Sequence, residues 1–415
     1  MQMRKLNLSI YALLLLLVAS CGKKQQDGQL VGAMDRPKWG GINPYGMVYV
    51  PSGTLTIGQS DQDFFHTLVQ PQKSISISGF YMDDTEITNN EYRQFVYYVR
   101  DELAHKALGH FIEGEDGQTE EVDWEQEIDW EDETLNDMYF QGADAYKGVK
   151  ELDSRKFVYE WEWKDWQKAA HTRDIKRSAI INKVKTNIYP DTLCWVRDFA
   201  YSYNEPMTRN YFSHPAFDDY PVVGVNWPQA RAFCYWRTSI WNKFKGEDEP
   251  NSEEFRLPTE HEWEWSARGG QEQAPFPWGA YYPRNAKGCL LANFKPGRGN
   301  YPEDGGYYTV KADAYFPNQY GLYNMSGNVA EWTESAYSDN AHIIMHDQNP
   351  DVKYDAKAED PESFKRKVIR GGSWKDVAYY LHTSTRNWEF QDTTKSYIGF
   401  RCVLAFLGRS EGDFH

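Results

Sequence analysis

The alternation of apolar and polar residues predicts strands where the compact part of the chain begins. In the stretch MVYVPSGTLTIG, residues 47–58, apolar side chains alternate with small or polar ones on both sides of a Pro-Ser-Gly turn. This period of two is typical of half-buried strands, and the turn predicts that the two strands form a hairpin. The stretch SISISGFYMDDTEIT, residues 74–88, predicts one further strand.

Helical spacing and capping residues predict three helices. The capping-box pattern TNNE, residues 88–91, precedes apolar residues at helical spacing and predicts a helix over residues 89–102. In YPVVGVNWPQARAFCYWR, residues 220–237, a buried strand precedes a helix capped by Asn226. A second capping box and a final Gly-Gly pair delimit a helix in LPTEHEWEWSARGG, residues 257–270. Short strands are predicted in FPWG, GYYTVKADAY, YGLYNMSGNVAEW, VIRGGSW and GFRCVLAF.

Between residues 103 and 198 the pattern changes, which predicts an insertion. Residues 111–146 contain 14 Asp or Glu and no Lys or Arg, whereas the net charge of the whole chain is only −16. A disordered acidic segment usually lacks aromatic residues, so part of this insertion is predicted to pack or dock on something. A solvated surface loop is the open alternative. Tryptophans are interleaved with these and later charges of the insertion, at Trp124, Trp130, Trp161, Trp163 and Trp166.

Composition narrows the class of protein. A chain of 415 residues can form one large domain or two smaller ones with a substantial core. The 16 Trp and 29 Tyr residues, with only short aliphatic runs, favour a loop-rich fold held together by aromatic side chains. The acidic balance argues against a nucleic-acid partner.

The N-terminus has the pattern of a bacterial lipoprotein signal. Basic residues precede an apolar run at 10–18, which is too short to span a bilayer, and small residues then lead to Cys21. The pattern predicts a signal peptide over residues 1–20 and an acylated Cys21 at the start of a tether over residues 21–43. The residue directly after Cys21 is Gly22 and not an acidic residue. The protein is therefore expected to be lipid-anchored in the outer membrane and to face the periplasm.

Several simple sites are excluded by spacing. The sequence HEWEW, which begins at His261, lacks the second histidine of a zinc-protease helix, since position 265 is Trp. The glycine pairs at 305–306 and 371–372 do not form a phosphate-binding loop. The cysteines after residue 21 lie in no CxxC motif, so we expect disulfides rather than zinc; they are Cys194, Cys234, Cys289 and Cys402.

Eight ordered stretches of the chain resemble the motif set of the formylglycine-generating enzyme (sulfatase-modifying factor) family. They are MVYVPSGTLTIG, FYMDDTEITNNEYRQFV, PVVGVNWPQARAFCYWR, RLPTEHEWEWSARGG, FPWG, GLYNMSGNVAEWT, RGGSW and GFRC. The resemblance covers residues 43–102 and 198–407. It implies an irregular α+β fold, related to the C-type lectin fold, over residues 44–407, with the insertion at 103–198 and a tail at 408–415.

The resemblance also implies an absence of the family's chemistry. In the active enzymes two redox cysteines lie just after RGGS and bind copper, but this chain has no cysteine between Gly371 and Cys402. Since no other residue supplies a thiolate, we expect no catalytic residues, no copper and no formylglycine formation. A residual reaction that uses Asp376, His382 and Arg386 is the enzymatic alternative.

Other family features are carried over residue by residue. The resemblance implies a disulfide between Cys234 and Cys402, which leaves Cys194 and Cys289 as a conceivable second pair. It also implies two structural calcium sites, because their turns are rich in oxygen ligands. The alternative is that the turns persist as geometry without metal. The implied ligands are Asn324, Gly327, Val329 and Glu331 for one site, and Asn293, Phe294, Asp304 and Gly306 for the other.

One branch of the family is more similar still. The sequences YGMVYVPSG, YSYNEPM and RGGSWKDVAYYLHTSTRNWEF resemble the gliding-motility and type IX secretion lipoproteins of Bacteroidetes, the GldK/PorK type. That resemblance implies a non-catalytic structural subunit that forms a periplasmic ring under the outer membrane with copies of itself and a GldN/PorN-type partner. A glycan- or peptidoglycan-binding module is the third hypothesis.

Overall fold

The computed structural model describes residues 43–58, 72–113, 120–146, 148–245, 251–297, 302 and 305–408. The predicted lipidation site Cys21, the signal peptide and most of the tether therefore lie outside the described residues, as does Asp304. Within the described residues, no helix combines the length and the apolar character needed to cross a bilayer.

The described residues form an irregular α+β fold, as predicted. The strands are β1 (Met47–Val50), β2 (Gly53–Ile57), β3 (Lys73–Ile77), β4 (Phe80–Asp83), β5 (Phe111–Glu113), β6 (Glu120–Val122), β7 (Val158–Lys164), β8 (Ile181–Asn187), β9 (Ala330–Ala336), β10 (Arg366–Arg370), β11 (Asn387–Phe390), β12 (Ile398–Gly399) and β13 (Val403–Ala405). They form small sheets in the orders β1-β4-β13, β11-β10-β9-β12, β2-β3, β5-β6 and β7-β8.

The helices surround these sheets. They are α1 (Asn89–Leu108), α2 (Trp166–His171), α3 (Cys194–Arg197), α4 (Glu205–Asn210), α5 (Trp227–Lys245), α6 (Glu260–Arg268) and α7 (Ala341–Ile344). Short 3-10 turns lie at Glu133–Met138, Gly142–Asp144, Ser154–Lys156, Arg177–Ala179, Pro215–Phe217, Glu362–Lys365 and Ala378–Leu381. Aromatic residues dominate the largest core cluster, where Tyr92 and Phe95 of α1 meet Phe233 of α5.

The predicted capping boxes are confirmed. Thr88 and Glu91 cap α1 reciprocally, and Thr259 and Glu262 do the same for α6. Helix α1 runs to Leu108, six residues beyond the predicted end at 102, and ends where Gly109 adopts φ 73°. The C-terminal extension was missed because polar residues there interrupt the apolar stripe without breaking the helix.

The predicted hairpin between the first two strands is wrong. Strand β1 pairs with β4, and β2 pairs with β3. The Trp265 indole of α6 packs against Gly53, where an added Cβ would lie 2.5 Å from the ring, and its Nε1 donates to the carbonyl of Pro51 at 2.8 Å. The indole thus packs against the turn that joins two strands of different sheets.

Other predicted strands are also corrected. The stretch 74–88 contains parts of two strands rather than one, because the extended pairing is interrupted at Ser78 and Gly79. The buried segment 220–225 forms no ladder, since its N–H groups bond to scattered carbonyls such as those of Ile87 and Lys395. FPWG and GYYTVKADAY are turns and irregular chain.

The acidic insertion packs partly on the domain. Tyr159 and Trp161 of β7 are buried in the largest core cluster, and Tyr159 contacts Phe95 edge-on at 5.2 Å. Trp124 stacks on Tyr98 of α1 at 4.6 Å. The prediction that part of the insertion packs is therefore confirmed.

Candidate functional site

Two consecutive glycines directly after β10 adopt the left-handed backbone conformation. Gly371 and Gly372 have φ values of 89° and 68°. An added Cβ would lie 3.0 Å from the Trp263 ring at the first position and 2.7 Å from the carbonyl oxygen of Tyr380 at the second. Both positions therefore need glycine for conformation and for space.

The residues after this turn pack into the core. The Trp374 ring stacks on Trp195 at 6.2 Å and meets Tyr308 edge-on at 5.2 Å. The Ser373 hydroxyl donates to the Asp376 carboxylate at 2.5 Å, and burial raises the pKa of Asp376. Residues 373–376 therefore form part of the packed interior of the domain.

A small cavity lies beside the Gly371-Gly372 turn. Its volume is about 10 Å³, which is room for about one water molecule. The lining residues are Ala330, Ile369, Arg370, Gly371, Gly372, Asp376, Tyr380, Thr385 and Asn387. No thiol lies among them, so the cavity offers no nucleophilic sulfur.

The three residues of the enzymatic alternative have separate partners. Asp376 is bound by Ser373, the His382 ring meets Phe276 edge-on at 4.8 Å, and the Arg386 Nε lies 2.8 Å from the Glu260 carboxylate.

A buried charged cluster lies between α6 and β10. Glu264 accepts hydrogen bonds from both Arg268 and Arg370, and Arg370 also donates to the carbonyls of Ser384 and Thr385 at 3.0 and 2.7 Å. Nearby, burial alone would raise the pKa of Glu260, but the charges of Arg386, His261 and Arg370 together outweigh it and lower the pKa to about 2. These ion pairs hold the segment after β10 against α6.

A second polar cluster surrounds Glu86, which is fully buried. Its two carboxylate oxygens accept from the side-chain amides of Asn324 and Asn328 at 3.1 and 3.0 Å. Burial raises the pKa of Glu86 to about 8, and the Arg401 charge opposes that shift. The turn YNMSGN is thereby tied to the chain that precedes α1.

The carboxylate of the first predicted calcium site is already engaged. The Glu331 oxygens accept from Arg401 at 2.7 and 2.8 Å, and one of them also accepts from Trp263 Nε1 at 2.7 Å. Asn324 takes part in the Glu86 cluster, and Gly327 and Val329 lie in the turn between them. The Glu331 carboxylate is thus paired with a guanidinium group in this structure, and calcium at this turn stays a prediction.

The second predicted calcium turn is only partly described. The Asn293 side-chain amide donates to the carbonyl of Tyr308 at 2.7 Å, and its own carbonyl accepts from the Asn328 N–H at 2.8 Å. Phe294 is buried, and Gly306 lies close to Val310 and to the Tyr308 carbonyl. Calcium at this turn stays a prediction.

The cysteines divide into a close pair and two separate residues. The sulfurs of Cys234 and Cys402 lie 3.4 Å apart and are buried, and burial raises the pKa of the Cys402 thiol. The two sulfurs are not joined by a disulfide bond in this structure, so the disulfide stays a prediction. Cys194 is buried and Cys289 is exposed, and both are free.

Sequence reasoning missed the buried charges. Glu260 and Glu264 were assigned no role, although they stand at i and i+4 in α6 on the same side as the apolar Trp263. Acidic residues on an apolar helix face, followed four residues later by Arg268, are a signal of buried ion pairs.

Two pairs of exposed tyrosines stand out on the surface. Tyr201 and Tyr203 lie in the YSYNEPM stretch and are almost fully exposed. Tyr281 and Tyr282 are also exposed, beside an open groove of about 730 Å³. The groove is lined by Trp278, Ala280, Tyr282, Pro283, Arg284, Asn285, Ala286, Gly288 and Leu291.

Comparison with known proteins agrees with the motif set. Residues 41–406 match the sulfatase-modifying factor enzyme 1-like domain. The mouse (Mus musculus) formylglycine-generating enzyme is 28% identical over 378 residues, which are 87% of this chain and 75% of the mouse protein. The bovine (Bos taurus) inactive C-alpha-formylglycine-generating enzyme 2 is 32% identical over 222 residues, which are 50% of this chain and 60% of that protein.

A search of solved structures finds PvdO from Pseudomonas aeruginosa, with a TM-score of 0.48 and 16% identity, covering 87% of this chain and 94% of PvdO. The family assignment rests on the domain match, which spans most of the sequence. The chain belongs to the formylglycine-generating enzyme family, also called the sulfatase-modifying factor family.

Proposed function

We propose that this protein is a non-catalytic structural lipoprotein of the type IX secretion and gliding-motility machinery. In this proposal Cys21 anchors the chain in the outer membrane, and the folded domain forms a periplasmic ring with further copies and a GldN/PorN-type partner. The sequence resemblance to the GldK/PorK branch supports the partner, and the lipoprotein pattern supports the membrane.

One observation carries the non-catalytic part of the proposal. The stretch from Gly371 to Arg401 contains no cysteine, and the space beside it holds about one water molecule, with a volume of about 10 Å³. A thiol-based oxidase needs both the sulfur and room for a substrate peptide. This stretch supplies no such sulfur, which supports a structural role in assembly.

The anchor is tested by fractionation of cells that make the full chain. Cys21→Ser is expected to move the protein from the outer-membrane fraction to the soluble fraction, because the acylated residue is lost. Cys289→Ser, which changes an exposed cysteine of the domain, is expected to leave the distribution unchanged. Equal membrane binding of both variants would contradict the proposed anchor.

Assembly is tested on the two exposed tyrosine pairs. We assign Tyr201 and Tyr203 to the ring interface because exposed aromatic residues are enriched at interfaces, and because they lie in a stretch shared with the GldK/PorK branch. The double change Tyr201→Ser/Tyr203→Ser is expected to reduce ring formation and co-purification with the partner, with an unchanged melting temperature. The matched control is Tyr281→Ser/Tyr282→Ser, which should assemble normally.

The enzymatic alternative has its own measurement. Purified protein with copper and a cysteine-containing peptide is expected to consume no oxygen above the rate of copper and peptide alone. An active formylglycine-generating enzyme serves as the positive control. Peptide-dependent oxygen uptake by this chain would overturn the non-catalytic assignment.

The groove beside Trp278 favours the glycan alternative, since aromatic rings next to Arg and Asn side chains can bind sugar rings. A peptidoglycan pull-down separates this function from assembly. If the module binds glycan, Tyr281→Ser/Tyr282→Ser should lose binding while Tyr201→Ser/Tyr203→Ser retains it.

A further inference from the structure

Two histidines face each other where α1 ends and the insertion begins. The Nδ1 atoms of His105 and His110 lie 3.0 Å apart, and the rings are tilted by 53°. His105 is buried in the last turn of α1, and His110 is half-buried just after the left-handed Gly109. The pair therefore lies at the junction between α1 and the acidic part of the insertion.

The backbone fixes this arrangement independently of the ring contact. The N–H of His110 donates to the carbonyl of His105 at 3.0 Å, and the N–H of Asp123 donates to the carbonyl of His110 at 3.1 Å. The second bond continues the β5–β6 pairing by one residue. The main chain at both residues is thus held by these bonds, so the two side chains start from fixed positions.

The spacing of the two nitrogens suits a shared metal ion. Zinc binds imidazole nitrogen at about 2.0–2.1 Å, and two such ligands in a tetrahedral site are about 3.3 Å apart. A shift of a few tenths of an ångström would bring both rings to that spacing. The other reading is a hydrogen bond in which one ring donates and the other accepts.

The electrostatic environment of the two histidines favours a cation. Asp101 and Asp123 lie close enough for their charges to act on His105, and the stretch 111–146 carries 14 acidic and no basic residues. The Asp123 carboxylate accepts from Gln126 at 2.8 Å. Among the described residues, no three His, Cys, Asp or Glu side chains are arranged to hold a metal, so water would complete the coordination.

We propose that His105 and His110 form a two-nitrogen binding site for a divalent transition metal of the zinc type. Imidazole ligands select such metals over calcium and magnesium, which prefer oxygen. Bound metal would fasten the β5–β6 hairpin to the end of α1. This site is distinct from the predicted calcium turns and does not depend on the proposed function.

The indole of Trp124 provides a built-in signal. Its ring lies 5.5 Å from the His105 ring and stacks on Tyr98. A copper(II) ion used as a probe would quench its fluorescence, and zinc should compete with the probe. Titrations use the full chain without a polyhistidine tag, in a Cys289→Ser background so that the exposed thiol binds no metal.

The decisive variant is His110→Gln, because His110 is less buried than His105. We expect one zinc per chain by calorimetry, at least a tenfold loss of zinc affinity in His110→Gln, and loss of the copper-dependent quenching. His171→Gln, which changes an exposed histidine of the same insertion, should bind like the parent. Absence of zinc binding, or equal affinity in His110→Gln and the parent, would overturn the proposal and leave a histidine–histidine hydrogen bond.

Discussion

Position 372 combines backbone conformation with lack of space. Gly148 has the same φ of 68° but no atom within 4 Å of an added Cβ, whereas at Gly372 the Tyr380 carbonyl oxygen lies 2.7 Å away. We expect Gly148→Ala to cost about 1 kcal/mol of unfolding free energy from the left-handed conformation alone. Gly372→Ala should cost about 1–3 kcal/mol more, because the backbone must move.

Urea denaturation of the two alanine variants checks this difference. Equal losses of stability would mean that the region around Tyr380 relaxes freely, and that the turn is not tightly packed. The comparison also separates conformational strain from overpacking, which a single variant cannot do.

Buried His342 predicts a loss of stability in mild acid. Burial, and then the Arg386 charge, lower its pKa from 6.5 to about 4. Between these pH values the unfolded chain binds a proton here and the folded chain does not, so stability falls as pH drops from about 6.5 to about 4. Glu260, His261 and Glu264 also act on this ring.

The measurement is unfolding free energy between pH 7 and pH 4.5. His342→Gln is expected to lose about 1–3 kcal/mol less than the parent over this range, because its side chain does not titrate. His346→Gln, which changes an exposed histidine nearby, should follow the parent. Parallel curves for all three proteins would show that His342 is not the sensor.

The β7–β8 hairpin contains a matched pair of tryptophans. Trp161 of β7 is buried, and its Nε1 donates to Thr186 at 2.9 Å, whereas Trp166 is about two-thirds exposed. Trp161→Ala should destabilise by about 3–5 kcal/mol, and Trp166→Ala by no more than about 0.5 kcal/mol. Thermal unfolding distinguishes a packed insertion from a loosely attached one, for which both changes would be small.

The starts of the two helices with capping boxes, α1 and α6, could be predicted from the sequence, and strand pairing could not. The capping boxes at Thr88 and Thr259 depend on residues three positions apart, so local sequence contains the whole signal. The turn between β1 and β2 packs against Trp265, more than 200 residues away, and the two strands pair in different sheets. Segments such as 220–225 are buried like strands, but distant carbonyls satisfy their N–H groups instead of a neighbouring strand.

The sequence shows which reactive groups the candidate site lacks, but it does not show how the residues of the site pair with one another. The missing cysteines are visible in the sequence, and so is the stretch that contains Trp374. The partners of Glu86, Glu264 and Glu331 lie on other segments, and a motif does not say whether a carboxylate faces a metal or an arginine. The close approach of Gly372 to Tyr380 likewise depends on tertiary packing.

Arg401 joins distant parts of the domain in one buried residue. It donates to Glu331 on β9, to the carbonyl of Asp83 at the end of β4 at 3.0 Å, and to that of Tyr323 at 2.9 Å. We expect Arg401→Met to destabilise by about 3–5 kcal/mol, because the Glu331 carboxylate is left buried and unpaired. Adding Glu331→Gln should recover part of that loss, which a double-mutant cycle measures.

Simple additivity of the two changes would contradict this account and would assign the loss to the carbonyl contacts alone. Glu331→Gln keeps an acceptor for Trp263 Nε1, so the cycle reports mainly the ionic partner. Full-length protein with normal secondary structure is required for each variant.

The position of the last strand determines when the domain can be completed. Strand β13, residues 403–405, pairs with β4, residues 80–83, on the side opposite β1. These contacts span more than 300 residues, and contacts of such sequence separation form slowly. The sheet therefore cannot close until the ribosome has released residues 403–405. Late closure leaves one edge of β4 without its partner strand through most of synthesis.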